Sequence, residues 1–242
     1  SDVIETFSIY GRQSSSSAEL SRILIKFPVA QITADRASGK IPSSGSVKFY
    51  LKLYNAANSK TVPSGTFSLV AEPVSKNWQE GFGLDLETYL DQTNGNIGSN
   101  WMSASDSVAW TNPGGDYVTA ANAAYPYRWF SQTFYTGLED FEIDITQMVE
   151  LWNAETLDNY GLGIHFSGAY EAYSSSSNDS YSAGVLKNTT GSTTSYYTKR
   201  FFARGTQYFF KRPTLEARWD STRKDDRGDI MYSSSLAGVN DN

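Results

Sequence analysis

Three groups of residues in this sequence are suited to chemistry. Glu80, Asp85, Glu87 and Asp91 crowd one stretch that also holds Gly and Asn, and carboxylate oxygens are the ligands calcium takes. The spacing lacks the alternating acids and fixed glycine of a calcium loop. The stretch is expected to be a solvated acidic loop, with calcium as the metal it would take and no other cofactor implied. Trp78, Trp101, Trp110 and Trp129 could stack on sugar rings. Trp152 and Trp219 fit core positions, so Trp101 and Trp110, in an irregular stretch, are the rings to test for glycan binding. His165 is the only histidine, and any Ser-His-Asp or His-metal mechanism must use it. No nucleophile elbow or paired-His spacing accompanies it, and it falls on the opposite face from Leu162, Ile164 and Phe166, which predicts a surface or hydrogen-bonded structural role.

Paired carboxylates are the remaining route to catalysis. Glu80, Asp85, Asp116, Glu142 and Asp144 are candidates for glycoside hydrolysis, which needs two carboxyl groups ~5 Å or ~6.5–9.5 Å apart. The sequence does not fix the separation of any two of them, and no enzyme is expected.

The elements that would carry these residues are mostly strands. Residues 140–166 hold strand, helix and strand patterns in succession. Phe141, Ile143 and Ile145 alternate with Glu142 and Asp144, the period of a half-buried strand. Ile145, Met148, Val149 and Trp152 then share one face of a short helix, which Asp144 or Thr146 can cap. Asn159 and Gly161 supply turn chemistry before Leu162, Ile164 and Phe166 alternate again. Upstream, strands are predicted from Ile4 to Gly11, around Ile23, Ile25 and Phe27, at 47–53 and at 66–74. The strand at 47–53 sets Lys48, Tyr50, Lys52 and Tyr54 on a wet face, where Tyr rings beside Lys stems are expected. Further strands are predicted near Phe130, Gln132 and Phe134, on either side of a turn at Gly205 (199–204 and 208–212), and at Leu215, Ala217 and Trp219. Residues 82–126 read as a long loop excursion, and 167–197 as a Ser/Thr/Tyr-rich segment that is either a mobile surface loop or a hairpin ordered against a neighbour. The sequons at Asn178 and Asn188 and the Arg227-Gly228-Asp229 triplet are common by chance. The domain is expected to span 1–220, with 221–242 as an extended arm or linker whose apolar cluster, Ile230, Met231 and Tyr232, is the candidate assembly contact.

Composition narrows the classes. Charged residues make up 19% and aromatics 14% of the chain, a β-rich balance. A net charge of −6 gives no footprint for nucleic acid or an anionic membrane. No apolar run approaches the ~20 residues of a membrane helix, and the N-terminus lacks the blocks of a signal peptide, so a chain soluble as made is expected. The absence of cysteine excludes disulfides, Cys-ligated zinc and thiol nucleophiles and fits assembly in a reducing cytoplasm.

The ordered landmarks resemble a known family. Arg22-Ile23-Leu24-Ile25-Lys26-Phe27, the strand at 47–53, Trp78-Gln79-Glu80-Gly81, Gly114-Gly115-Asp116-Tyr117, the strand and helix from Ile143 to Trp152, Asn159-Tyr160-Gly161-Leu162, Phe202-Ala203-Arg204 and Arg212-Pro213 are similar to the DNRLRE-type, carbohydrate-binding-module-like jelly-roll domains. The C-terminal residues 209–228 resemble the variant in virion proteins of marine tailed bacteriophages. That resemblance implies an all-β jelly-roll β-sandwich with one or two short helices and long loops. It also implies a non-enzymatic structural protein of the virion, made in the bacterial cytoplasm, that decorates the capsid or belongs to the neck or tail. Its partners would be other virion proteins in multiple copies, with neither nucleic acid nor membrane involved. The alternative is a carbohydrate-binding adhesion module that recognises host-surface glycan.

Overall fold

The computed structural model describes residues 2–11, 17–57, 66–81, 98–118, 129–175, 186–194 and 196–220. These residues form an all-β sandwich with two short helices. One layer is a four-stranded antiparallel sheet in the order β3 (Ile23–Ile25), β10 (Leu162–Phe166), β5 (Phe67–Pro73) and β8 (Phe130–Phe134). Opposite it lies the sheet of β12 (Thr214–Arg218), β4 (Lys48–Leu53) and β9 (Phe141–Asp144). A third sheet, β11 (Tyr196–Phe202), β1 (Val3–Gly11) and β2 (Ser17–Ser21), closes one side. No helix among the described residues is long and apolar enough to cross a membrane.

Alternation explains the core. Phe49, Leu51 and Leu53 of β4 pair in register with Ala217 and Leu215 on one side and with Ile143 and Phe141 on the other. Their inward side chains meet Phe67, Leu69 and Ala71 of β5, Leu162, Ile164 and Phe166 of β10, and Phe134. Burial of such side chains is worth roughly 1.5–3 kcal/mol each. The outward residues of β4 are charge-paired: Lys52 lies 3.4 Å from Glu142 and 3.2 Å from Glu216, and Arg218 covers the Tyr50 ring at 4.1 Å. This wet face is a ladder of cross-strand pairs, as the Tyr and Lys pattern predicts.

The helix pattern at 145–152 is also realised. Met148, Val149 and Trp152 of α2 (Thr146–Asn153) are buried. Asp144 Oδ1 accepts the Thr146 N–H at 3.0 Å, and Thr146 Oγ1 accepts the Phe49 N–H at 2.8 Å, which ties the helix start to β4. The connection before β4 carries α1 (Ala30–Ala37), bound to α2 by Arg36 and Glu150 at 2.7 Å.

Two elements differ from expectation. The Ser-rich run ends in a strand, β2, separated from β3 by Arg22 alone, so one run of chain pairs first with β1 and then with β10. Its residues show no strict alternation, and pairing with β1 decides its conformation. Residues 208–212 form no strand. Phe209–Lys211 is a 3-10 turn with no buried residue, because the run supplies aromatic side chains on every side and no second sheet covers them.

Two turns show why particular residues are required. Gly161 has φ +82°, and a Cβ there would lie 2.2 Å from Ile25 O. Gly161→Ala is therefore expected to lose at least the ~1–3 kcal/mol of a strained backbone position, read as a lower urea midpoint. In the β8–β9 turn, Glu139 Oε1 accepts the Thr136 and Tyr135 N–H groups at 2.8 and 2.9 Å. Burial alone would raise this carboxyl, but those donors hold it down at about 2, below its ordinary 4.5. A depressed carboxylate stabilises the fold fully above 4.5, and that contribution is lost as pH falls towards 2. Glu139→Gln is expected to flatten the acid limb of a melting-temperature profile in that window.

Candidate functional site

Residues 98–118 begin the site, because they hold both tryptophans chosen for glycan stacking. This part of the predicted excursion is folded and packed. Asn100 Oδ1 accepts the Met102 and Ser103 N–H groups at 2.7 and 2.6 Å, which turns the chain into the hairpin of β6 (Ser103–Ser105) and β7 (Val108–Ala109). Farther on, the Asp116 carboxylate accepts N–H bonds from Thr111 and Asn112, both at 2.8 Å. Burial would raise this carboxyl, but those donors lower it. Ser75 N donates to Asp116 O and Val118 N to Pro73 O, both at 2.9 Å, so the segment is laced to the end of β5.

Trp110 is buried there, 2% exposed, in a small second core with Val74 and Ala104, and Leu24, Trp78, Tyr117 and Tyr160 pack around it. Its Nε1 donates to Asn100 O at 2.9 Å. The expected stacking role for Trp110 is thus corrected: a ring covered by its own chain offers no face to a sugar. Trp101 is half-buried. Gly114 lies so close to it that a Cβ would come within 2.8 Å of the ring, and the Arg22 guanidinium stands 5.4 Å from its centroid.

Beneath this segment lies a polar cluster on the outer face of the four-stranded sheet. Arg22 reaches it because the single residue between β2 and β3 points there. Its Nη2 lies 3.0 and 3.1 Å from the two carboxylate oxygens of Glu171, and its Nη1 donates to Gly114 O at 3.4 Å. Burial would lower the Arg22 pKa, but Glu171 and Tyr117 keep it raised. His165 of β10 is buried in the same cluster. Its Nδ1 lies 2.8 Å from Phe166 O, which can only accept, and its Nε2 is 3.3 Å from Glu72 Oε2. This is the hydrogen-bonded structural role expected of His165. The Tyr117 ring covers Gly163, where a Cβ would lie 2.3 Å from Cε1, and burial raises the tyrosine pKa.

Glu171 is the contribution missed at the level of sequence, since it lies in a Ser/Thr/Tyr-rich segment whose composition marks no buried charge. The described parts of that segment are held by hydrogen bonds: Tyr173 N donates to Ser192 O at 2.9 Å, Ser174 and Asn188 exchange backbone bonds at 3.0 and 3.1 Å, and Ala172 N donates to Ser8 Oγ at 2.8 Å.

Among the described residues, the candidate carboxylates are each engaged by a cation or a turn. Glu80 is exposed and pairs with Arg204 at 3.1 Å. Glu142 and Asp144 sit on the opposite sheet, paired with Arg218 and Lys48 at 2.7 and 3.7 Å, while Asp116 is consumed by its turn. Asp85, Glu87 and Asp91 lie outside the described residues, as do Ile230, Met231 and Tyr232. No group of three or more potential metal ligands occurs among the described residues.

The surface most distinct from its surroundings is aromatic. Tyr208, Phe209 and Phe210 are 53%, 67% and 88% exposed on the 3-10 turn. The turn is held firmly by Lys211 N donating to Tyr208 O at 2.9 Å, Thr206 N to Ala203 O at 3.2 Å and Arg212 Nη2 to Thr206 O at 3.1 Å. Phe209 and Phe210 meet edge to face at 5.4 Å, and the Arg212 guanidinium lies 5.3 Å from the Phe209 ring. Aromatic residues beside Arg form the composition enriched at protein interfaces. The sequence signal was present as Tyr-Phe-Phe-Lys-Arg, but a strand would have buried alternate members.

The buried pair yields a direct expectation. Glu171→Leu leaves Arg22 uncompensated and should cost ~3–5 kcal/mol in urea unfolding, whereas Arg22→Met with Glu171→Leu should recover most of it. Compared with protein-family models, curated proteins and solved structures, the chain finds no match, which leaves the geometry of these surfaces as the guide to function.

Proposed function

We propose that this chain is a non-enzymatic structural module of a tailed-phage virion, attached to capsid, neck or tail proteins through the aromatic knob at 208–212. The observation that carries the reading is the exposure of Phe209 and Phe210 on a turn whose backbone is pinned at both ends. Large exposed rings are costly in water and are retained where a partner covers them. A knob already rigid before binding loses little entropy on docking, and repeated copies on a symmetric particle multiply a modest interface through effective concentration. The virion assignment itself rests on the resemblance to jelly-roll virion proteins. Against glycoside hydrolysis stands the engagement of the described candidate carboxylates, Glu80, Asp116, Glu142 and Asp144, each with a cation or a turn. Against the adhesion alternative stands the burial of Trp110, although Trp129 is 56% exposed.

The test is incorporation. Phe209→Ser with Phe210→Ser should leave the free energy of urea unfolding within ~0.5 kcal/mol of the parent, as surface changes do, and should abolish immunogold labelling of purified particles. Labelling equal to the parent's would remove the knob as the attachment surface. Unlabelled particles for the parent itself, with binding on a glycan array, would favour the adhesion module.

A further inference from the structure

Lys199 of β11 is a lysine almost completely removed from solvent, 2% exposed. Its Nζ lies 2.7 Å from Asn55 Oδ1, 2.9 Å from Gly137 O and 2.7 Å from Glu139 O. The rings of Phe134 and Phe201 wall it in, with centroids 5.0 and 5.1 Å from Nζ. An isolated ammonium in such surroundings is costly, and its contacts here are all uncharged oxygens. Burial accordingly draws the Lys199 pKa down to about 8, against the pull of Glu139 and Asp140. A usable fraction of the amine is therefore neutral near physiological pH, and a desolvated neutral lysine is a nucleophile.

The electrophile is at hand. A contact of 2.7 Å to Oδ1, added to a C=O length of ~1.23 Å, puts the Asn55 Cγ no more than ~4 Å from Nζ, close to the ~3–3.5 Å of a reactive approach. Asp140 Oδ1 accepts the Asn55 backbone N–H at 2.7 Å, which fixes the backbone from which the side-chain amide projects. Backbone pairing between the continuation of β4 and β11 holds the two residues together: Ala56 N donates to Arg200 O at 3.1 Å and Phe202 N to Tyr54 O at 3.0 Å.

We propose that Lys199 and Asn55 join in an intramolecular isopeptide bond. The Lys199 Nζ–Asn55 Cγ bond forms and the Cγ–Nδ2 bond breaks. One proton passes from Nζ to Nδ2, and ammonia leaves. No electrons are exchanged and no co-reactant is required. The product is an amide between residues 55 and 199, a covalent tie from the end of β4 to β11 that suits a protein under mechanical load.

The folded full-length chain is measured by intact mass spectrometry and by sequencing of its proteolytic peptides. The expected result is a mass lower than the sequence mass by one ammonia, with a branched peptide joining Lys199 to Asn55. Lys199→Met should restore the unmodified mass for that sequence. A parent chain at its full sequence mass after prolonged incubation at mildly alkaline pH would overturn the proposal and leave Lys199 as a structural ammonium that fastens the 135–140 turn. Loss of ammonia without a branched peptide, or a loss that persists in Lys199→Met, would also overturn it, since cyclisation of an asparagine on its own backbone gives the same mass change.

Discussion

Strand β10 is buried on both faces, and much of the architecture follows from that one constraint. Its inner residues, Leu162, Ile164 and Phe166, complete the sandwich core, so they need only a second sheet. The outer residues are Gly163 and His165, which no sheet covers. Tyr117 fills the space above Gly163, and Glu72, Glu171 and Tyr117 surround His165. The segment at 98–118 and the one around 171 must therefore fold down onto the sheet. The turns at 98–118 are fixed by backbone N–H groups donating to Asn100 and Asp116, because a buried backbone has to be satisfied within the protein.

Charge is handled in three ways according to depth. On the wet face of the β12, β4 and β9 sheet, Lys52, Glu142, Glu216 and Arg218 form a ladder close to solvent, where each pair is worth little and the pattern chiefly favours one register. Under the roof of the four-stranded sheet, Arg22 and Glu171 pay a desolvation penalty that their bidentate contact offsets. Such a pair specifies which segments meet more than it adds stability. At Lys199 no carboxylate makes contact, and carbonyl oxygens and aromatic faces replace it. A group this far from water is either stabilised as an ion by its cage or relieved of its charge by reaction.

The sandwich thus combines a stiff body with an exposed aromatic projection. Tyr208, Phe209 and Phe210 project from a turn that is anchored to Thr206 and Ala203, and they do so without disturbing the strands on either side. A rigid aromatic projection on a rigid body suits attachment to a larger assembly, where binding draws on area that water already disfavours.

Local pattern was enough for the regular elements. The alternation of Phe49, Leu51 and Leu53, that of Phe141 and Ile143, and the helical spacing of Met148, Val149 and Trp152 each report one buried face, and a buried face is a property of adjacent residues. Asn159 and Gly161 likewise announce a turn whose φ only glycine tolerates comfortably. What the sequence could not disclose were features that depend on distant partners. Serines at 17 and 21 become a strand because β1 lies alongside. Trp110 is covered by residues its own loop brings back, Glu171 is drawn inward by Arg22, and Lys199 meets Asn55 only when β4 and β11 run side by side. Periodicity records which way a side chain points along its own element. Tertiary structure decided what each one meets there, because those neighbours are brought together by chain closure rather than by spacing.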